Sequence, residues 1–286
     1  MLIRPLTTFD ECRKAAELER LVWGYTDAED IIPPPMLIVT TRRGGVLLGA
    51  FDEAGEMIGF VYATPALKDG QLTQWSHVLG VTAGARGRGV GAALKLAQRQ
   101  HALRMGIDVI EWTFDPLQAL NAYFNFCKLG VVVEEYEENI YGVSSSVLHQ
   151  GTPTDRFVAQ WNLTTPHVER RIAATALPRS GRAPRPAIGV RDSAVLGAVL
   201  VNPSRSSGEW LEPGEPSLEV EGARILVEIP AGFTEMQARE PGLALAWRLA
   251  TRPIFHAYFA RGYRAVDFFL AREHGRGHYL LARAAG

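Results

Sequence analysis

The sequence predicts a mixed α/β fold in which a mostly antiparallel sheet is flanked by helices and is followed by a smaller α/β half-domain. Three observations predict it. Two β-rich runs, GGVLLGAFD and EMIGFVYATP, surround a Gly-containing turn and read as an antiparallel hairpin. Apolar residues at helical spacing follow the next strand at Val90, Ala93, Leu94 and Ala97. The order strand, helix, glycine, strand, strand is read over 108–163 and again in the C-terminal part, which suggests a degenerate half-repeat. The predicted organisation is a first domain over 1–165, a linker over 166–190, and a C-terminal α/β domain over 191–286.

The elements follow in order. Leu2 to Leu6 reads as a short opening strand. Thr7 or Thr8 can cap a helix over 9–23, with Asp10 and Glu11 in the first turn, where the helix dipole favours them. Gly24 and the stretch YTDAEDIIPPP end it, and a second helix covers Pro35 to Arg43. After the hairpin, a strand over Gln74 to Thr82 leads into a glycine-rich segment and then a helix ending near Met105. DVIEWTF is a further strand. Pro116 is placed like the first residue of a helix, LQALNAYFNFCKL, which stops at Gly130. Val131 to Val133 and Asp155 to Leu163 are the next strands. VERRIAATALPRSGRAPRPAI carries five arginines and three prolines, and reads as a short helical piece with a solvated basic connector. Beyond it come the strand ARILVEIPA, a long helix over Glu235 to Arg261 interrupted by Pro241 and Pro253, and the strands AVDFFLA and GHYLLAR.

Composition narrows the function. The 286 residues are 47% hydrophobic and 21% charged, with net charge −1. That is the mix of an ordinary soluble globular protein. The near-zero charge gives no electrostatic case for nucleic acid or an anionic membrane. Only Cys12 and Cys127 are present, which fits a reducing, cytoplasmic setting. No run approaches the ~20 apolar residues of a membrane helix, and no signal-peptide pattern is read.

The chemistry is carried by HVLGVTAGARGRGVGAALK. Here a strand enters a loop with glycines at 84, 87, 89 and 91, and a helix opens. Glycine lets backbone approach a ligand, and the unpaired N–H groups at a helix start attract phosphate. Arg86 and Arg88 add positive charge. A dinucleotide fingerprint needs G-x-G-x-x-G early in a βαβ unit, and a Walker loop needs Lys and Ser/Thr where Val90 and Gly91 stand. Coenzyme A needs only a pyrophosphate cradle and a strand edge for its pantetheine amides.

With Val81, Arg86, Gly89 and Gly91 in place, the segment resembles the Arg/Gln-x-x-Gly-x-Gly/Ala signature of the GNAT superfamily of acyl-CoA-dependent N-acyltransferases. The runs SHVLGV, EWTFDPLQALNAYFNFCKLG and TPTDRFVAQWNL resemble a bacterial subfamily. Some of its members are similar to amino-acid N-succinyltransferases associated with N-acylamino-acid racemases. IPAGF and AWRLATR with YFARGY resemble that subfamily's tail. The resemblance implies a GNAT fold and direct attack of an amine on a CoA thioester. The implied donor is acetyl-CoA or succinyl-CoA. No metal is implied.

It also implies roles. Arg86, Gly87, Arg88, Gly89, Val90 and Gly91 would cradle the pyrophosphate, Leu79 and Val81 would bind pantetheine through their main chain, and an N–H near Leu79 or Gly80 would polarise the thioester. His77 is the favoured base. Strand alternation puts 75, 77, 79 and 81 on one face, where related enzymes often carry a Glu base. The other reading is a buried structural histidine. Asp115 could bind the substrate ammonium, act as base, or cap a helix. Glu111 is either solvent-facing or a buried carboxylate. The family's usual Tyr acid is replaced by Phe126, and Tyr123, one turn earlier, is either its substitute or a packing residue. Asn121 and Asn125 share a helix face and suit cofactor contacts, or are ordinary surface amides. Trp23, the 24–35 loop and the 142–156 loop would shape the acceptor site. Arg156 would hold a substrate carboxylate, or pair with Asp155 or Glu134. Cys127 reads as a core residue, and the histidines show no metal-ligand spacing.

The function expected is N-acylation of a small-molecule amine, with an amino acid the leading acceptor. The second reading is a non-catalytic acyl-CoA-binding sensor or structural module, which Phe126 keeps open. A protein-acetylating role is the weakest of the three. The C-terminal part could complete the acceptor pocket, pack on the first domain, or form a dimer interface.

Overall fold

A computed structural model describes residues 1–142, 146, 152–176 and 197–283. It is a mixed α/β structure with mostly antiparallel strands and flanking helices, as the sequence predicts. The chain forms two compact units. The first holds 1–112, 144–148 and 162–164, and the second holds 113–143, 149–161 and 165–286.

In the first unit, β1 (Leu2–Pro5), β2 (Val46–Phe51), β3 (Met57–Lys68) and β4 (Gln71–Val81) pair antiparallel in that order. The 109–112 part of β5 (Val109–Phe114) joins β4 in parallel. α1 (Phe9–Trp23) starts at a full capping box. Thr8 accepts from the Glu11 N–H, and Glu11 accepts from the Thr8 N–H. Gly24, at φ 65, ends the helix in the left-handed region. α2 (Pro34–Thr41) begins with prolines at its first turn. α1 and α2 cover one face through Cys12, Ala15, Leu18 and Leu37 against Phe60, Tyr62 and Val78. α3 (Val90–Arg104) covers the other through Val90 and Leu94 against Val46, Leu48, Val61 and Ala63.

The second unit carries β6 (Val132–Glu137), β7 (Arg156–Asn162), β8 (Val199–Leu200), β11 (Arg224–Pro230), β12 (Tyr263–Ala271) and β13 (Arg276–Arg283). Their sheet order is β7-β6-β12-β13-β11-β8, with only the β11–β8 pair parallel. β9 (Arg205–Ser207) and β10 (Trp210–Glu212) form a separate hairpin that the sequence reading missed. α5 (Pro166–Ala176) is the short helical piece expected at the start of the linker. The rest of the linker lies outside the described residues. The doubled element order has a local counterpart. The helices before β6 and β12 both end on a glycine at φ 78, Gly130 and Gly262.

Two helices differ from expectation. Pro116 does not open the helix. Asp115 accepts from the Leu117 N–H in a turn, and α4 (Ala119–Ala122) starts only after Gln118. It continues as a π-helical turn, Tyr123–Leu129, closed by the Gly130 N–H to the Asn125 carbonyl. The long C-terminal helix is divided at Glu240 into α6 (Phe233–Arg239) and α7 (Pro241–Ala260). Pro241 sits at the first position of α7, where its missing N–H costs nothing. Pro253 is carried inside α7 without ending it.

The core of this unit is aromatic. Phe157 meets Phe114, Phe255 and Tyr279 edge-on at 5.6, 4.6 and 5.3 Å between ring centres. Beside it runs a charged seam. α7 presents Arg248, Arg252 and His256 one turn apart. Arg248 grips both oxygens of Asp115 at 2.7 Å, Arg252 grips Asp155 at 2.9 and 3.0 Å, and His256 meets Glu138 at 2.8 Å. Asp155 also accepts from the Tyr136 hydroxyl at 2.6 Å. Arg248 and Asp115 are both buried, so removing one partner strands the other charge. We expect Arg248→Met to cost about 3–5 kcal/mol in urea unfolding near neutral pH. The deficit should shrink in acid as Asp115 takes up a proton.

Candidate functional site

The site of the first unit is set by one extra residue. Tyr62 pairs with Val78 and the next residue, Ala63, pairs with Ser76, so His77 is bulged out of the β3–β4 ladder. The bulge corrects the expected alternation. Gln74 and Ser76 face α3 before it, and Leu79 and Val81 face α3 after it. His77 is therefore not in their row. Its ring lies edge-on to Tyr62, whose hydroxyl donates to Thr40 of α2. The ring is solvent-reachable but crowded by protein, and this desolvation lowers its pKa below the ordinary value. His77 is thus neutral at pH 7.

The parallel β4–β5 ladder pairs only Gln74 with Ile110 and Trp75 with Glu111. It ends just before the bulge. On the β3 side, the Thr82 N–H donates to the Ile58 carbonyl at 3.0 Å. Antiparallel alternation then turns the N–H and C=O of Gly80 and Val78 toward β3. Those of Leu79 and Val81 turn away from it. The Val81 carbonyl agrees, since it accepts from Arg86 Nε at 3.3 Å. Leu79 thus turns its main-chain groups outward and Val81 its N–H, whereas Gly80 does not. Gly80 serves another purpose. A Cβ there would lie 2.9 Å from the indole of Trp23, so the glycine lets Trp23 pack close on the strand.

The glycine-rich loop is open. After a short 3₁₀ turn over Ala83–Ala85, residues 86 to 89 are exposed, with Gly87 at φ 74 and Gly89 at φ 88. A Cβ on Gly84, Gly87 or Gly89 would meet nothing within 4 Å. α3 has no side-chain N-cap, and its first internal bond runs from the Ala93 N–H to Gly89. The amides of Val90, Gly91 and Ala92 consequently point out of the helix start unpaired, beside exposed Arg86 and Arg88. Gly91 packs loosely on Leu79 and Val81.

Sequence reasoning missed what lies beneath the bulge. Lys95 of α3 is buried and donates to Ser76 Oγ at 2.8 Å, with its ammonium position 3.6 Å from the Trp112 ring centre. Gln98 joins Ser76 and Gln74 at 3.2 and 2.7 Å. Lys95 has no carboxylate partner among the described residues, and burial holds its pKa well below the usual lysine value. The only signal was a second stripe on α3, Gly91, Lys95, Gln98 and Ala102, which reads as solvent-facing by residue type. Glu19 of α1 was also missed. It is buried, accepts from the Ile32 N–H at 3.2 Å, and is pushed up to about 7 by burial. Glu111 is buried too, but Lys68 pairs with it at 2.8 Å.

The remaining candidates lie in the second unit. Both Asp115 oxygens are held by Arg248, which keeps its carboxyl below the usual range despite burial. This is a structural anchor rather than a free base. Phe126 is fully buried between Phe114 and Tyr279, so a hydroxyl there would enter an apolar ring cluster. Tyr123 is half-buried at the start of the π turn. Asn125 is buried and bonds exposed Asn121 at 3.4 Å, so it is not a surface amide. Arg156 is 4.0 Å from Asp115 and lies over the Tyr141 ring, while Asp155 is engaged by Arg252. Cys127 is buried. Residues 143–145 and 147–151 of the loop expected to touch the acceptor lie outside the described residues.

No family profile matches the chain, and no curated protein matches it in sequence. Among solved structures, it is similar to Naa20 of Chaetomium thermophilum in complex with a bisubstrate analogue, at 13% identity and TM-score 0.46 over 64% of this chain and 94% of that one. It is similar to yncA of Salmonella typhimurium with its cofactor acetyl-CoA, at 19% identity and TM-score 0.46 over 58% and 95%. A GNAT-family acetyltransferase of Streptococcus pneumoniae gives 16% identity and TM-score 0.45 over 56% and 97%.

The buried lysine yields a pH test. The unfolded chain holds the Lys95 proton up to about pH 10.4, whereas the folded chain releases it at lower pH. Stability conferred on the wild type relative to Lys95→Met should therefore rise as pH climbs toward about 10, by up to about 1.4 kcal/mol per pH unit. Parallel melting curves would contradict this.

Proposed function

We propose that the chain is a GNAT-type acyltransferase that moves an acetyl or succinyl group from coenzyme A to the amine of a small molecule, an amino acid being the leading acceptor. One observation carries the reading. The β4–β5 ladder ends beside the bulge at His77, on the same strand that runs into an open, arginine-flanked helix start. A linear ligand with an amide-bearing arm and a diphosphate would meet outward main-chain groups first and unpaired amides next.

The residues present fit such a ligand. The amides of Val90, Gly91 and Ala92, with Arg86 and Arg88, would hold the diphosphate, and the glycines leave room for it. Coenzyme A supplies the activated thioester. The outward N–H of Leu79 is the donor available to a carbonyl along that edge. His77, neutral at pH 7, takes a proton from the substrate ammonium, directly or through water, so that the free amine can attack the thioester. Trp23 over Gly80 forms a wall of the acceptor side. Tyr123 keeps its place as candidate acid, Asn121 and Asn125 as candidate cofactor contacts, and Arg156 as candidate carboxylate clamp. A cytoplasmic location belongs to the same reading. The sensor alternative rests on Phe126, whose ring cannot protonate a thiolate.

The test is a thiol-release assay with acetyl-CoA and succinyl-CoA against D- and L-amino acids. His77→Ala should lower kcat about a hundredfold or more. The wild-type acid limb of kcat/KM should fall at a pKa below about 6.5. An unchanged kcat in His77→Ala would remove His77 as base. Gly89→Val, strained at φ 88 and projecting into the open loop, should weaken coenzyme A binding at least about tenfold in calorimetry. Tight binding with no acceptor-dependent thiol release would favour the sensor.

A further inference from the structure

A cavity lies in the first unit, at the end of α3 away from the glycine-rich loop. It has a volume of about 280 Å3 and is lined by the end of β1, the start of β2, the last turn of α2 and His101. Along α3, His101 is eleven residues from Val90, or about 16 Å from the helix start. The cavity is therefore separate from the glycine-rich loop.

Its lining has two parts. Leu6, Val46 and Leu48 give a buried apolar wall. Facing the same space are Thr7, Arg42 and His101. No lining residue is acidic. Of the carboxylates near Thr7 in sequence, Asp10 pairs with Arg13 at 3.0 Å, and Glu11 is taken by Arg4 at 2.6 Å and by the amides of Thr7 and Thr8. Arg42 has no ion-pair partner among the described residues. His101 Nδ1 is buried and has no hydrogen-bond partner among them. The nearby Arg104 adds positive potential, which with burial lowers the His101 pKa.

We propose that this cavity binds a short aliphatic carboxylate, with the anion on Arg42 and His101 and the chain against Leu6, Val46 and Leu48. Arg42 supplies the charge and two parallel donors that suit a carboxylate. The His101 ring donates the further hydrogen bond from Nε2, in the tautomer that carries its proton there. At about 30 Å3 per water-sized volume, the cavity has room for roughly eight to ten non-hydrogen atoms. That matches a six-carbon acid. The site is independent of the acyltransfer reading.

Hexanoate is the probe, titrated calorimetrically into the full chain, with hexanamide as its neutral counterpart. We expect saturable hexanoate binding, with hexanamide weaker by at least about tenfold, since a charge-assisted contact is lost. Arg42→Gln and His101→Leu should each weaken hexanoate about tenfold. Arg42 is exposed, so its variant should keep the wild-type melting temperature. Saturating coenzyme A should leave the hexanoate affinity unchanged. Absence of saturable heat, equal binding by Arg42→Gln, or displacement by coenzyme A would each overturn the proposal. Failure of coenzyme A itself to bind would count against the acyltransfer reading and leave this site standing.

Discussion

The bulge at His77 is the constraint on which the first unit turns. A strand fully paired on both sides has no main-chain groups to spare. Inserting one residue shifts the register, ends the parallel ladder at Trp75 and Glu111, and swings the side-chain rows. The same event puts an imidazole outside the ladder and leaves the Leu79 and Val81 main chain facing away from β3. The strand then delivers the chain directly to the open loop and the start of α3.

A bulge is a weakness unless something fixes it. Here the fixing comes from below, through Lys95, Gln98, Ser76 and Gln74. These ties pin α3 to β4 at the residue before His77. The cost is a buried amine with no counter-charge among the described residues, held by one hydroxyl and an aromatic face. On the opposite face, Trp23 over Gly80 and Tyr62 beside His77 set the walls. Both faces of β4 are thus committed around a single irregular residue.

The second unit is organised differently. Its aromatic core absorbs Phe126, and its charged seam absorbs Asp115 and Asp155 into contacts with α7. Residues that look chemically active in one dimension serve there as anchors for helix residues 133 and 97 positions away. Only the fold reveals that commitment, because an acid before a proline reads as a cap and an arginine on a distant helix reads as solvated.

Much of the framework was legible in the chain itself. Thr8 with Glu11, Gly24, the hairpin about Gly55, and the strand–glycine–helix run from 74 to 105 all rest on local rules of capping, turns and periodicity. The openness of the loop followed from its glycines. What local rules cannot see is register. Perfect alternation was assumed for β4, and one bulged residue invalidated it. Pro116 was taken as a helix start, and the Asp115 turn delayed that start by three residues. Lys95 drew no reading, because a lysine on a helix carries no local sign of burial. Short-range backbone preference was set by the sequence, whereas strand register and the pairing of buried charges were decided by tertiary packing, since each depends on partners distant along the chain.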